Sequence, residues 1–352
     1  MRSLARAGWD VGVGSQASPG HAQRSRYATR WHPVPLAEAG EDAFTCAVAD
    51  AVRAGSYDVV FAVGDAEVLT LSKRRAQVPA CVPWPEHDVV VRCFDKRIAA
   101  ELAAFAGLAT PATGTSGGFP VVVKARTHWL GGDVGSASRF PVRLAEDEAE
   151  LTEHVEALRE QGVPAIVQQY VSGELIAQVW LLDKTGAVLA CQQQVAEKVW
   201  PKDAGVSVRA RTVAVDADLA AAARRFLADL GWWGLCELQF LVGGDGVPRL
   251  IDVNGRFYGS LALATAAGLP VAPMWAALAL GDEVAPAPPA RTGVRYQWLE
   301  GDLRRARVEG GVGSALRYAF GAQHSLLSLR DPKPGLGEAI DVFRRSTGHG
   351  ER

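Results

Sequence analysis

Glu237-Leu238-Gln239-Phe240-Leu241-Val242, Gly243-Gly244-Asp245-Gly246 and Val247-Pro248-Arg249-Leu250-Ile251-Asp252-Val253-Asn254-Gly255-Arg256 form the stretch on which the reading of the fold turns. Two alternating apolar runs flank a Gly-Asp-Gly turn, the pattern of a β-hairpin whose side chains change face at every residue. A symmetric four-residue turn pairs Val242 with Val247 and sets Glu237 directly opposite Asp252, with Gln239 and Asn254 on the same face. Like charges directly opposed across a sheet repel. A cation between them removes the conflict, and oxygen ligands with no His or Cys nearby suit Mg²⁺ or Mn²⁺. The competing reading, an exposed face carrying unrelated polar residues, is weakened by the Asn254 and Arg256 that follow.

A chain of 352 residues exceeds one ordinary core and suggests two or three domains. The formal net charge of −2 and the lack of a long Lys/Arg run argue against nucleic acid or an anionic membrane as the main partner. Near-neutral balance points instead to a small-molecule site. Cys46, Cys81, Cys93, Cys191 and Cys236 are odd in number, scattered and without Cys-x-x-Cys spacing, which fits reduced thiols in the cytoplasm. No apolar stretch follows the basic residues of Met1–Gly8, and neither a signal peptide nor a membrane-spanning segment is visible.

Residues 1–90 read as short α/β units. A helix ending at Gly8 leads into a strand over Trp9–Val13, and Tyr57–Val63 reads as a second strand ending at Gly64-Asp65. Opening on a helix is unusual for such a unit, so a first strand is expected to be missing at the start. Gly12-x-Gly14 resembles part of a dinucleotide fingerprint, but Ala17 takes the third glycine's place and no acidic ribose partner is evident. A simple βα turn explains it better; a nicotinamide-dependent oxidoreductase stays as a third-ranked reading.

From residue 91 the features change. Asp95 can N-cap a helix with apolar Ile98, Leu102 and Phe105 at helical spacing, closed by Gly107, which places Lys96 in the first turn. Phe119-Pro120-Val121-Val122-Val123-Lys124 reads as a buried strand whose terminal lysine needs an anion or an exit to water. A Gly-rich loop, Thr127–Ser136, follows and contains Gly131 and Gly132; it lacks a Walker ending. A helix is expected from about Pro141 to Gln161, then a strand over Ala165–Val171, with Glu174 at the junction to the next strand.

In this order the features resemble the ATP-grasp superfamily. Asp95-Lys96, Phe-Pro-Val-Val-Val-Lys124, the glycine loop, Gln168-Gln169-Tyr170-Val171-x-Gly-Glu174, Glu237 and Asp252-x-Asn254-Gly-Arg256 are similar to its nucleotide and metal motifs over roughly residues 90–280. The resemblance implies an ATP-grasp fold of mixed α/β and α+β character: an N-terminal α/β domain over 1–90 and an ATP-grasp domain over 91–283. The latter comprises two α+β subdomains (91–170 and 171–283) clasping ATP, and a Pro-rich linker with a C-terminal extension occupies 284–352. It assigns Lys96 and Lys124 to the ATP phosphates, and Gly131 and Gly132 to the loop over them. Gln168, Gln169, Tyr170 and Val171 would read adenine, and Glu174 would hold the ribose. Glu237, Asp252 and Asn254 would bind Mg²⁺ (or Mn²⁺), and Arg256, with Lys124, would act on the transferred phosphoryl group.

Within the superfamily, Asn254-Gly255-Arg256-Phe257-Tyr258-Gly259-Ser260 resembles the carboxylate-amine ligases and carbamoyl-phosphate-synthetase-like proteins. Gly255 replaces a usual proline, Asp252 a usual glutamate and Gln168 a frequent glutamate. The implied activity joins a small-molecule carboxylate to an amine through an acyl phosphate, with release of ADP and phosphate. The alternative is an ATP-binding regulatory protein without turnover. Lys198, Arg209 and Arg295 are candidates for substrate contact; solvated surface charge explains Lys198 and Arg209 equally well.

Overall fold

A computed structural model describes residues 1–16, 20–127, 140–202 and 205–337. The first unit holds α1 (Arg2–Arg6), β1 (Gly12–Ser15), β2 (Arg30–Pro33), α2 (Glu41–Gly55), α3 (Asp65–Lys73) and α4 (His87–Phe94). Its strands β1 and β2 pair in parallel, as expected of an α/β unit. The strand expected over Tyr57–Val63 is reduced to one parallel bridge between Val59 and Cys81 among the described residues. Gly12 lies within β1, and a Cβ there would fall 1.9 Å from the Tyr57 hydroxyl. Close packing against Tyr57 therefore accounts for this glycine, not a phosphate-binding turn.

Next come α5 (Lys96–Phe105), β3 (Val121–Ala125), β4 (Arg143–Ala145), α6 (Glu148–Glu160) and β5 (Ala165–Gln169). Asp95 caps α5 as expected, accepting from the backbone amides of Arg97 and Ile98. The helix expected from Pro141 begins only at Glu148, where Asp147 accepts from the amides of Ala149 and Glu150; the residues before it form β4 instead. The three strands assemble in the order β4-β3-β5, all antiparallel. Val121, Val123 and Ala125 pack with Leu151 and Leu158 of α6 on one face. Alternation then turns Lys124 and Gln168 to the other.

The third part contains β6 (Glu174–Leu182), β7 (Val188–Trp200), β8 (Val206–Val213), α7 (Ala217–Leu230), β9 (Gly234–Val242), β10 (Pro248–Asn254), α8 (Leu261–Ala266) and α9 (Val271–Leu280). After it follow β11 (Arg295–Gln297), α10 (Leu299–Glu309), α11 (Val312–Ala319) and β12 (Gln323–His324). One seven-stranded sheet runs β10-β9-β6-β7-β8-β11-β12. The main core lies here: Trp180, Phe226, Leu238 and Phe240 are buried together with Trp84, Val90 and Phe94 of the first unit. The Pro-rich stretch over 284–290 is not a free tether. Val284, Ala287 and Ala290 pack on that core, and the Ala287 amide donates to the Leu189 carbonyl.

The segment after α5 stitches the two sheets together. Ala109 bridges in parallel to Arg249 on the outer edge of β10, while Thr113 bridges to Gln168 of β5. The cleft between the sheets is thereby bounded on one side by the chain that connects them.

Candidate active site

The hairpin β9–β10 forms, but in a different register from the symmetric one. Val242 pairs with Pro248, so the turn spans five residues, and a bulge at Ile251 adds a second offset: Gln239 faces Asp252, and Glu237 faces Asn254. Glu237 and Asp252 are thus diagonal neighbours, not directly opposed as expected. Each one-residue offset alone would turn the polar side chains of β10 to the far face, whereas two in succession return them. The shared polar face survives for that reason. Gln239 Nε2 and Asn254 Nδ2 both donate to Glu237 Oε2, at 3.0 and 3.1 Å.

Glu237 is 3% exposed. Burial, with repulsion from Asp252, pushes its carboxyl up to about 7 despite the two amide hydrogen bonds and Arg256. The Tyr258 hydroxyl, also buried and held well above its ordinary value by burial and Glu237, has no hydrogen-bond partner among the described residues. A carboxylate in surroundings that penalise its charge gains from a cation placed beside it. The described residues contain no cluster of three His, Cys, Asp or Glu side chains. The oxygen donors Glu237, Asp252 and Asn254 therefore fit a divalent ion that completes its shell from phosphate and water, as Mg²⁺ does.

The two lysines come to the same hairpin from separate elements. Lys96 opens α5 and its Nζ lies 3.1 Å from Asp252 Oδ1. Lys124 Nζ donates to the carbonyl of Ile251 at 3.1 Å, a group that the bulge frees from the ladder. Arg126 ties both together: its guanidinium pairs with Asp95 at 2.6 Å, and its carbonyl accepts from the Lys96 amide at 3.0 Å. Burial, with repulsion from Lys96, lowers Lys124 to about 8, and Asp252 opposes the shift. Lys96, Lys124, Gln168 and Asp252 line one small cleft together with Cys93 and Phe94.

Gln169 and Tyr170 run from β5 toward β6, their amides donating to Ala112 and Pro120. Val171 and Gly173 pack against the Val242–Gly243 end of the hairpin, where a Cβ on Gly173 would fall 2.0 Å from the Val242 carbonyl. Glu174 opens β6 opposite Val242 and is exposed. Gly131 and Gly132 lie outside the described residues.

Arg256 stands just past β10. Its Nε donates to Asp65 at the start of α3, and its Nη1 donates to the Phe257 carbonyl at 3.0 Å. Burial disfavours its charge, but Asp65, and beyond it Asp252 and Glu237, more than offset that and raise its pKa. Gly255 has a steric reason: a Cβ there would fall 2.3 Å from the ring of buried Trp232, so the usual proline has no room. Trp84 Nε1 donates to the Gly255 carbonyl at 2.6 Å. Asp65, Trp84 and Trp232 were not singled out by the sequence. The only trace was the Gly64-Asp65 pair closing an apolar run.

The three substrate candidates stand elsewhere. Gln239 aligns across the sheet with Ala177, Gln194 and Thr212, which puts Arg209 and Arg211 on the opposite face. There Arg209 is buried and pairs with Asp302 of α10 at 2.6 Å, its guanidinium lying over the Tyr318 ring. Arg295 pairs across strands with Arg211, covers the same Tyr318 and is exposed. Lys198 pairs with Arg209 and is exposed. None of the three reaches the β9–β10 hairpin.

Residues 188–302 match the family model described as ATP-grasp in the biosynthetic pathway with Ter operon. The biotin carboxylase domain of Hydrogenobacter thermophilus 2-oxoglutarate carboxylase, solved with MgADP and bicarbonate, superposes with a TM-score of 0.65 at 13% identity. The match covers 84% of this chain and 69% of that one. Campylobacter jejuni biotin carboxylase gives 0.64 at 14% identity, covering 84% and 70%. An L-amino acid ligase from Bacillus licheniformis gives 0.60 at 18%, covering 79% and 70%. No curated protein sequence matches the chain. The fold is the ATP-grasp fold. Among the described residues no helix is long and apolar enough to cross a membrane.

Proposed function

We propose that this protein is an ATP-dependent ligase that activates a small-molecule carboxylate as an acyl phosphate and joins it to an amine. The observation that carries this reading is the convergence of Lys96 and Lys124 on the Glu237–Asp252–Asn254 hairpin, with Arg256 at its end. Adenine lies along Gln168–Val171 in this reading, with Glu174 at the ribose and Lys96 and Lys124 on the phosphates. Glu237, Asp252 and Asn254 hold Mg²⁺, which, when bound, offsets phosphate charge and polarises the phosphoryl oxygens.

The chemistry assigned to the chain's own residues is positioning and charge stabilisation. The substrate carboxylate attacks the γ-phosphorus of ATP; the bond to the β,γ-bridging oxygen breaks and ADP leaves. Lys124 and Arg256 stabilise the charge that spreads over the transferred phosphoryl oxygens. The amine then attacks the acyl carbon, loses a proton and expels inorganic phosphate, leaving an amide. Entry of ATP takes the place of the present partners of the lysines, the Asp252 carboxylate and the Ile251 carbonyl. Asp252 is then free for the metal. Residues 1–90 and 284–352 flank this site as supporting units.

The test is ADP and phosphate release in Mg-ATP with amino acids offered singly and in pairs. ADP release that requires both a carboxylate and an amine, and that is lost in Lys124→Ala and Asp252→Ala, supports the assignment. Full activity in either variant overturns the site. Tight ATP binding without ADP release across the screen supports the regulatory alternative.

A further inference from the structure

We infer that Asp65, carried by the N-terminal unit, is the positioning residue for Arg256, holding its guanidinium so that Nη2 is presented to the terminal phosphoryl group. This inference rests on the assignment of Arg256 proposed above.

An arginine side chain has four flexible torsions, and fixing its plane takes more than one anchor. Arg256 has two: Nε donates to Asp65, and Nη1 to the carbonyl of Phe257. Among the described residues Nη2 has no hydrogen-bond acceptor. The two ionised side chains are 14% and 11% exposed, sheltered enough for the pair to resist screening. Arg256 follows closely on the end of β10 at Asn254 while its guanidinium is held by Asp65, so it stands between the N-terminal unit and the hairpin.

The backbone beneath is clamped by the same unit. Trp84 donates to the Gly255 carbonyl, while the Trp232 ring fills the space beside Gly255. The side chain and the main chain of the Asn254-Gly255-Arg256 run are thus both held by residues 65 and 84, far away in sequence. A contact that served only to join the two units would not need to take the Nε edge of the one arginine at the phosphoryl position. Asp65 touches no reacting atom in this scheme and acts only through Arg256.

The experiment compares wild type, Asp65→Ala, Asp65→Asn, Asp65→Glu, Arg256→Ala and the Asp65→Ala/Arg256→Ala double variant. Folding is checked by thermal unfolding, and Asp65→Asn, equal in size, decides the question if the alanine variant does not fold. Calorimetry with ATP and with ADP in Mg²⁺, without a second substrate, gives the preference for the terminal phosphate. ADP release gives kcat and KM.

Asp65→Ala is expected to lower the ATP-over-ADP preference and kcat by roughly 10-fold or more, with little change in KM for the amine. Asp65→Asn shows a smaller loss, Asp65→Glu restores part of it, and the double variant matches Arg256→Ala. Wild-type values for Asp65→Ala or Asp65→Asn overturn the inference. An equal loss from Asp65→Ala in the Arg256→Ala background also overturns it, since Asp65 then acts independently. If wild type releases no ADP with any pair, the ligase reading fails, and the ATP-over-ADP arm alone decides the role of Asp65.

Discussion

Glu237→Gln removes a buried charge while keeping its shape and its capacity to accept the amide hydrogen bonds of Gln239 and Asn254. Burial and Asp252 push this carboxyl from an ordinary 4.5 up to about 7. The folded chain therefore binds its proton more tightly than the unfolded chain does. Such a group favours folding in its neutral form and opposes it progressively as pH rises from the unfolded value through the folded one. At about 1.4 kcal/mol per pH unit of displacement, the ionised carboxylate costs the ligand-free protein about 3 kcal/mol at pH 8 and under about 1 kcal/mol at pH 5. Urea unfolding in a chelator at the two pH values measures this. Glu237→Gln is expected to be more stable than wild type by about 3 kcal/mol at pH 8 and by under about 1 kcal/mol at pH 5. The same variant loses Mg²⁺-dependent ATP binding. Equal stability at pH 8, or a gain that does not change with pH, refutes the reasoning that this carboxylate waits for a cation.

Three further outcomes follow from the same structure. Lys124, held at about 8 against an ordinary 10.5, destabilises the fold below pH 8 and ceases to do so between 8 and 10.5. Lys124→Met is therefore expected to raise ligand-free stability by up to about 3 kcal/mol at pH 7, with the gain fading toward pH 10.5 in denaturation curves, while ATP affinity falls. Gly255→Ala forces a Cβ to within 2.3 Å of Trp232; a loss of about 1–3 kcal/mol in urea unfolding is expected, relieved by adding Trp232→Leu. Asp302→Ala strands Arg209 and Arg305, both buried against it; unfolding free energy is expected to drop by about 3–5 kcal/mol, with ATP affinity unchanged in the folded fraction.

The parts of this molecule legible in the sequence are those that local rules decide. Asp95 as an N-cap, Lys124 at the end of a valine run and the alternation of Glu237, Gln239, Asp252 and Asn254 follow from helical spacing and strand pleat. The register of the hairpin was not legible, because neither the five-residue turn nor the bulge at Ile251 leaves a mark that distinguishes it from a symmetric turn. Arg209 shows a different failure. A cation near a cleft motif looks like a ligand contact until the partner, Asp302, is brought from 93 residues away. Asp65 and Trp84 escaped notice for the same reason: their meaning depends on contacts with residues 256 and 255, which no local pattern encodes.

The doubled offset in the hairpin has a consequence for how this chain can vary. Deleting one residue from the exposed turn over 243–247 leaves the Val242–Pro248 pair, and with it the faces of Asp252 and Asn254, in place. Drawing Ile251 into the ladder with no residue lost would instead turn Asp252 and Asn254 to the apolar face and withdraw the carbonyl that meets Lys124. Turn length is therefore free to vary at the tip of the hairpin, whereas the bulge at Ile251 is the feature that any working descendant of this chain has to keep.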